Sequence, residues 1–118
     1  MGSRGTWRNL VFNPQLWAAG APSAGSAEQA GDGTLQQQAA PPVFPLLNKV
    51  VDIPIKAFAG KADTTAGFQG SEATQAQMEK LGGHSTLTEF AGATHRAYTL
   101  SFCVLVCGGE IADFDCRS

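Results

Sequence analysis

No stretch of this chain stays apolar for the roughly 20 residues that a membrane-spanning helix requires, so no helical span is expected. An excess of charge of either sign is missing too. Eight Lys and Arg stand against ten Asp and Glu, and the basic residues are scattered. With no basic patch, nucleic acid and anionic membrane surfaces are poor partners. Arg4 and Arg8 are followed by no apolar h-region of about 7–15 residues, so the N-terminus does not read as a secretory signal. The compartment is left open. Cysteine is scarce: Cys103, Cys107 and Cys116 are the whole set, all within the last sixteen residues. An odd number leaves at least one thiol free or paired between chains. Their spacing with His95 matches no familiar zinc-ligand pattern, so no metal site and no cofactor is expected. Cys103 and Cys107 read instead as small apolar residues of a buried segment.

What remains is a chain of 118 residues, enough for one modest domain. Its hydrophobic share of 43% is globular, but it leans on alanine, which makes for a thin core. Residues 5–17 place Trp7, Leu10 and Val11 at helical spacing, with Pro14 ending or interrupting the run. Residues 18–25 (AAGAPSAG) suit a short buried strand, because small side chains let a strand lie close beneath a helix. Residues 26–47 are rich in Ser, Ala, Gly, Gln and Pro without a period and read as an irregular excursion, with room for a short helix near Thr34–Ala40.

From Val50 the pattern sharpens. Ile53, Ile55, Ala57 and Ala59 alternate with Pro54, Lys56 and Phe58 in a strand that ends at Gly60. Pro54 has no amide to donate and belongs at the strand's entry. After the loop 61–70, Ser71 is the expected N-cap of a helix to about Leu81, with Ala73, Ala76 and Met78 inward and Gly82-Gly83 as the stop. A second strand, Ser85–Phe90, then leads through a glycine-containing loop to His95. Strands alternating with helices predict right-handed crossovers and a parallel sheet of about three strands with flanking helices.

Such sheets collect functional residues in the loops after the carboxyl ends of their strands, where both Asp63 and His95 fall. Neighbouring parallel strands would set these loops side by side. A carboxylate there can accept a hydrogen bond from the imidazole Nδ1–H while Nε2 takes a proton from a nucleophile. The competing reading makes Asp63 a turn former and His95 a surface residue. His84, at a helix-to-strand turn, fits the structural role better than a catalytic one. Glu89 reads as a solvated or crossover-facing side chain, and Glu110, Asp113 and Asp115 form an acidic tail.

The stretch IPIKAFAGKAD…MEKLGG…TEFAGATH resembles the end of α/β-hydrolases, where one strand leads to Gly-x-x-Asp and the next to Gly-x-x-His. Here these are Gly60-Lys61-Ala62-Asp63 and Gly92-Ala93-Thr94-His95. The opening MGSRGTWRNLVFNPQLWAAGAPSAG is similar to the segment directly after the nucleophile in feruloyl- and acetyl-xylan-esterase-like enzymes, polyhydroxybutyrate-depolymerase-like esterases and predicted peptidases or phospholipases of that superfamily. Their elbow reads Gly-x-Ser-Met-Gly-Gly-x-Gly-Thr-Trp. Met1, Gly2, Gly5, Thr6, Trp7, Pro14 and Pro22 match, and Ser3 replaces the second glycine after Met. The likeness covers roughly residues 1–25 and 48–98; residues 26–47 and the tail from about Phe102 depart from it.

The resemblance implies a partial α/β-hydrolase fold, with the N-terminal half of the sheet absent, residues 1–101 forming the C-terminal portion of the domain and 102–118 a divergent tail. It assigns Asp63 and His95 as the acid and base of a triad and places the serine immediately before Met1, outside the chain. It makes the Met1 nitrogen an oxyanion-hole donor, here a terminal ammonium. Ser3 lies past the elbow and reads as a helix cap or helix surface. The implied activity is serine-dependent hydrolysis of a small-molecule or polysaccharide-linked carboxylic ester, with the chain alone inactive. The alternative is an inert fragment, or a binding and assembly module that keeps the fold. In either case the strand near 18–22 would present an open apolar edge and favour self-association.

Overall fold

The structure, a computed structural model, describes residues 2–27, 43–65 and 68–96. Helix α1 (Gly2–Phe12) buries Trp7, Leu10 and Val11, the set picked out by helical spacing. It ends before Pro14, which opens a single 3₁₀ turn, Pro14–Leu16. The chain then runs beside strand β1 (Ile55–Gly60), whose other neighbour is β2 (Ser85–Phe90). The β1–β2 pairing is parallel, from Ile55 opposite Ser85 to Gly60 opposite Phe90. Helix α2 (Phe68–Lys80) makes the crossover between them.

Among the described residues the sheet has two strands, β1 and β2, and the expected third is reduced to isolated bridges. Residues 20–24 meet β1 through two parallel bridges, Gly20 with Ile55 and Ser23 with Phe58. The Gly20 amide donates to the Pro54 carbonyl and the Lys56 amide to Gly20; the Phe58 amide donates to Pro22 and the Ala24 amide to Phe58. One rung of this ladder is missing, the donor that Pro22 cannot supply. The segment leaves the sheet at Ala24, which adopts a positive φ of 58°.

Small residues in 18–25 serve the close approach expected of them. A Cβ on Gly20 would lie 2.7 Å from the Leu10 Cδ1 of α1, and one on Gly25 would lie 2.9 Å from the Ser3 Cβ. The core gathers on this face of the sheet: Trp7, Leu10 and Val11 pack with Leu47, Val50, Ile53, Ile55, Ala57 and Met78. Leu47 and Val50 come from a 3₁₀ helix, Phe44–Val50, where the sequence reads as the end of an irregular stretch. The anticipated helix near Thr34–Ala40 lies outside the described residues, as does the cysteine-containing tail.

Three expectations are corrected. The β1 ladder begins at Ile55, two residues after Ile53, because Pro54 stands at its entry and Val50–Ile53 close a turn through the Ile53 amide and Val50 carbonyl. Phe58 is buried although it alternates with the inward residues, so β1 is covered on both faces at that row. Helix α2 starts at Phe68, and Ser71 is a buried interior residue whose hydroxyl reaches the Gly25 carbonyl at 3.4 Å. The inward side of α2 is therefore Ser71, Thr74 and Met78, with Ala76 exposed. Thr74 fixes this rotation: its hydroxyl donates to the Gly70 carbonyl (2.8 Å) and accepts the Ala27 amide (3.2 Å). The helix stops as anticipated. Gly82 has φ +76°, its amide donates to Glu79, and the Gly83 amide donates to Met78, which together make a Schellman cap.

Candidate active site

The Asp63 and His95 loops leave the same end of the two paired strands. After β1, a turn closes when the Asp63 amide donates to the Gly60 carbonyl at 3.2 Å. Asp63 Oδ1 then accepts the Thr65 amide at 2.9 Å, a local Asx turn that holds the carboxylate in place. After β2, the Ala93 amide donates back to Phe90 and Gly92 takes φ +74°, which a side chain would resist.

These loops are joined backbone to backbone. The Lys61 amide donates to the Phe90 carbonyl at 3.0 Å and the Ala62 amide to the Ala93 carbonyl at 2.9 Å. The Ala93–Thr94 backbone crosses directly over Gly60, where a Cβ would lie 2.6 Å from the Thr94 oxygen. Lys61 Nζ and Glu89 Oε2, 3.3 Å apart, bridge the same two strands at the surface. Beneath, the Phe58 and Phe90 rings stack with centroids 6.1 Å apart.

The result is a contact between the two residues singled out by position. His95 Nδ1 lies 3.0 Å from Asp63 Oδ2. The Asp63 side chain is 3% exposed and that of His95 36%. A carboxylate can only accept, so Nδ1 carries the hydrogen, and in the neutral ring Nε2 keeps its lone pair. Among the described residues Nε2 meets no hydrogen-bonding partner. The imidazole is thus anchored on its buried side and free on its open side, which suits it to exchange a proton with a group brought to Nε2.

The other residues weighed from the sequence fall elsewhere. Ser3 is buried in the first turn of α1 and donates its hydroxyl to the Gly25 carbonyl at 3.1 Å, so it is engaged in packing. Met1 lies outside the described residues. His84 is exposed at the opposite, amino-terminal end of β2 and serves the sheet through its backbone, accepting the Ile55 amide. Glu89 is solvated and paired with Lys61. Among the described residues no group of three His, Cys, Asp or Glu is placed to hold a metal, and no helix is long and apolar enough to cross a membrane. What the sequence did not reveal is the role of Gly60 and the Lys61–Glu89 bridge. Their only trace is a glycine at a strand end and opposite charges on neighbouring strands.

No protein-family model matches the chain, and no curated protein sequence matches it. A solved structure does. The crystal structure of a thermostable esterase superposes on 78% of this chain with a TM-score of 0.61 and 25% sequence identity. The chain has a partial esterase-like α/β fold. It spans about a fifth of that esterase, the matched part being 20% of the longer chain. The likeness supports a relationship to hydrolases at this coarse level.

Proposed function

We propose that Asp63 and His95 are the acid and base of a serine-dependent carboxylic ester hydrolase, and that the nucleophile comes from outside these 118 residues. The observation that carries this reading is the 3.0 Å Nδ1–Oδ2 contact between a buried carboxylate and a half-exposed imidazole, in an esterase-like fold. In the proposed reaction the serine hydroxyl attacks the ester carbonyl and its proton passes to His95 Nε2. Asp63 holds the ring and stabilises the imidazolium. The proton then goes to the departing alcohol, and water, deprotonated by the same nitrogen, releases the acid from the acyl-enzyme. The resemblance places the serine directly before Met1 and makes the Met1 amide an oxyanion donor. The substrate class is a small or polysaccharide-linked ester.

Two assays test this reading. Hydrolysis of p-nitrophenyl acetate by the 118-residue chain should equal that of its His95→Ala variant, both at background. A rate above background that His95→Ala abolishes would place a working nucleophile inside the chain. A longer protein supplying Gly-x-Ser directly before Met1 should turn over the same ester. In it, Asp63→Asn should cost roughly 10⁴-fold, as the acid of a serine-protease triad does. Turnover indifferent to both Asp63 and His95 would refute the assignment.

A further inference from the structure

Two buried serines share one acceptor, the Gly25 carbonyl oxygen. Ser3 Oγ donates to it from the first turn of α1 at 3.1 Å, and Ser71 Oγ from the first turn of α2 at 3.4 Å. Two residues further on, the Ala27 amide donates to Thr74 Oγ1 at 3.2 Å. The short segment 25–27 is thus fastened to α2 at two points and to α1 at one.

Local preference is overridden at three positions to build this node. Ala24 takes a φ of 58°, the left-handed region that an L side chain resists, and this turn carries the chain off β1 to present the Gly25 carbonyl. Gly25 admits α1 closer than a side chain would allow, since a Cβ there would lie 2.9 Å from the Ser3 Cβ. Ser3 stands where the esterase-like elbow carries glycine, which has no hydroxyl to donate. Local rules broken together at one place mark geometry that a function holds fixed.

The node's place in the fold says which function. Ser23 bridges Phe58 in parallel, so Gly25 emerges at the carboxyl end of the sheet, with the Asp63 and His95 loops. Helix α2 is entered from the Asp63 loop, which the Lys61 and Ala62 amides tie to the His95 loop. Helix α1 begins where the proposed nucleophile and oxyanion donor attach. We infer that Ser3, acting through the Gly25 carbonyl and Ser71, is a positioning residue for the proposed hydrolysis. It holds the first turn of α1 in register with the loops of Asp63 and His95. This inference rests on the hydrolase reading above. The Ser3 hydroxyl is committed to Gly25 and does not attack; it fixes how the nucleophile meets His95 Nε2. Placement of that kind is costly to lose, because a displacement of about 1 Å can slow a reaction by about 100-fold.

Stopped-flow acylation by p-nitrophenyl acetate, read as release of p-nitrophenol, tests this in the longer protein that supplies Gly-x-Ser before Met1. Ser3→Ala should lower the acylation rate constant by about 10–100-fold and leave the half-saturating ester concentration within about twofold, because substrate-binding groups are untouched. Ser71→Ala should lower the rate constant by less, its bond being longer. The double variant should lose less than the product of the two losses, as residues that share one acceptor do. Each variant should keep the parent's circular dichroism, and Ser71→Ala carries the test if Ser3→Ala fails to fold. An unchanged rate constant in a folded Ser3→Ala variant would overturn the inference. So would a loss confined to half-saturation, or two losses that multiply independently. If His95→Ala and Asp63→Asn still cripple that protein, the hydrolase reading stands without the inference. A parent with no turnover would overturn the hydrolase reading, and the role of Ser3 with it.

Discussion

Replacing Gly60 by alanine isolates the feature that brings Asp63 and His95 together. At a backbone φ open to all residues, glycine-to-alanine ordinarily stabilises by about 0.4–1 kcal/mol, because alanine has fewer unfolded conformations to lose. Gly60 is not in the positive-φ region, so that gain is available to it. Against it stands the crossing of the neighbouring loop. The new Cβ would meet the Ala93 carbonyl oxygen most closely of all, and would lie 2.6 Å from the Thr94 oxygen and 2.7 Å from the Ala93 carbonyl carbon, whereas ordinary contact begins at 3.4 Å. The Thr94 oxygen would have to retreat by about 0.8 Å and the Ala93 oxygen by more, and no rotamer can relieve a clash with backbone.

Forced overpacking costs about 1–3 kcal/mol. Loss of the 2.9 Å bond from the Ala62 amide to Ala93 adds about 0.5–1.5 kcal/mol. Even after the entropic gain, Gly60→Ala should destabilise by about 0.5–4 kcal/mol. Urea unfolding gives the magnitude and amide exchange the location: Ala62 should lose protection while Phe58, bonded to Pro22, keeps it until global unfolding. A variant as stable as the parent, with Ala62 still protected, would refute the account of how the two loops are held.

Three further outcomes follow from the same geometry. Gly92→Ala should cost about 1–2 kcal/mol in urea unfolding through its φ of +74° alone, since nothing lies within 4 Å of a Cβ there. Met78→Ala should cost about 2–5 kcal/mol, because Met78 is fully buried and is the apolar residue by which α2 meets the core. Asp63→Ala should release the His95 tautomer: nitrogen-15 spectra of the imidazole should show the hydrogen fixed on Nδ1 in the parent and shared between the nitrogens in the variant.

The parts that the sequence made legible are those fixed by local chemistry. Ser85–Phe90 was bounded by its own alternation and by glycines, and the Gly82-Gly83 stop by the need for a positive φ. Asp63 and His95 were legible through topology, since loops after adjacent parallel strands must emerge together. The parts that were not legible depend on partners distant in the chain. Ser71 looks like a cap until Gly25 supplies a tertiary acceptor for its hydroxyl. Ala76 looks inward until Thr74, held between Gly70 and Ala27, sets the rotation of α2. Phe44–Val50 has no amphipathic repeat to announce it, and its burial of Leu47 and Val50 is decided by packing near α1 and Ile53. Gly60 belongs with these: nothing local requires it, and only the path of residues 93–94 explains it.

Pro22 offers the test of whether 20–24 is a third strand with one defect or a loop that touches β1 twice. The bonds from Gly20 to Pro54, Lys56 to Gly20, Phe58 to Pro22 and Ala24 to Phe58 keep one register, and the rung absent from the series is a donor from residue 22 to the Lys56 carbonyl. Pro22→Ala supplies that donor. Pro22 is also fully buried, so losing about two methylenes costs about 1.6 kcal/mol, and the freer unfolded chain costs a further 0.4–1 kcal/mol. A new hydrogen bond returns only about 0.5–1.5 kcal/mol. The variant should therefore be less stable, by about 0.5–2 kcal/mol, even though it gains a rung. Stability alone cannot separate the two descriptions, but exchange can. If the segment is a strand, the new amide at 22 should be protected far more strongly than the outward amide of Ala21. Equal, rapid exchange at both positions would mean that the register between Gly20 and Ala24 is coincidental, and that the described sheet has two strands.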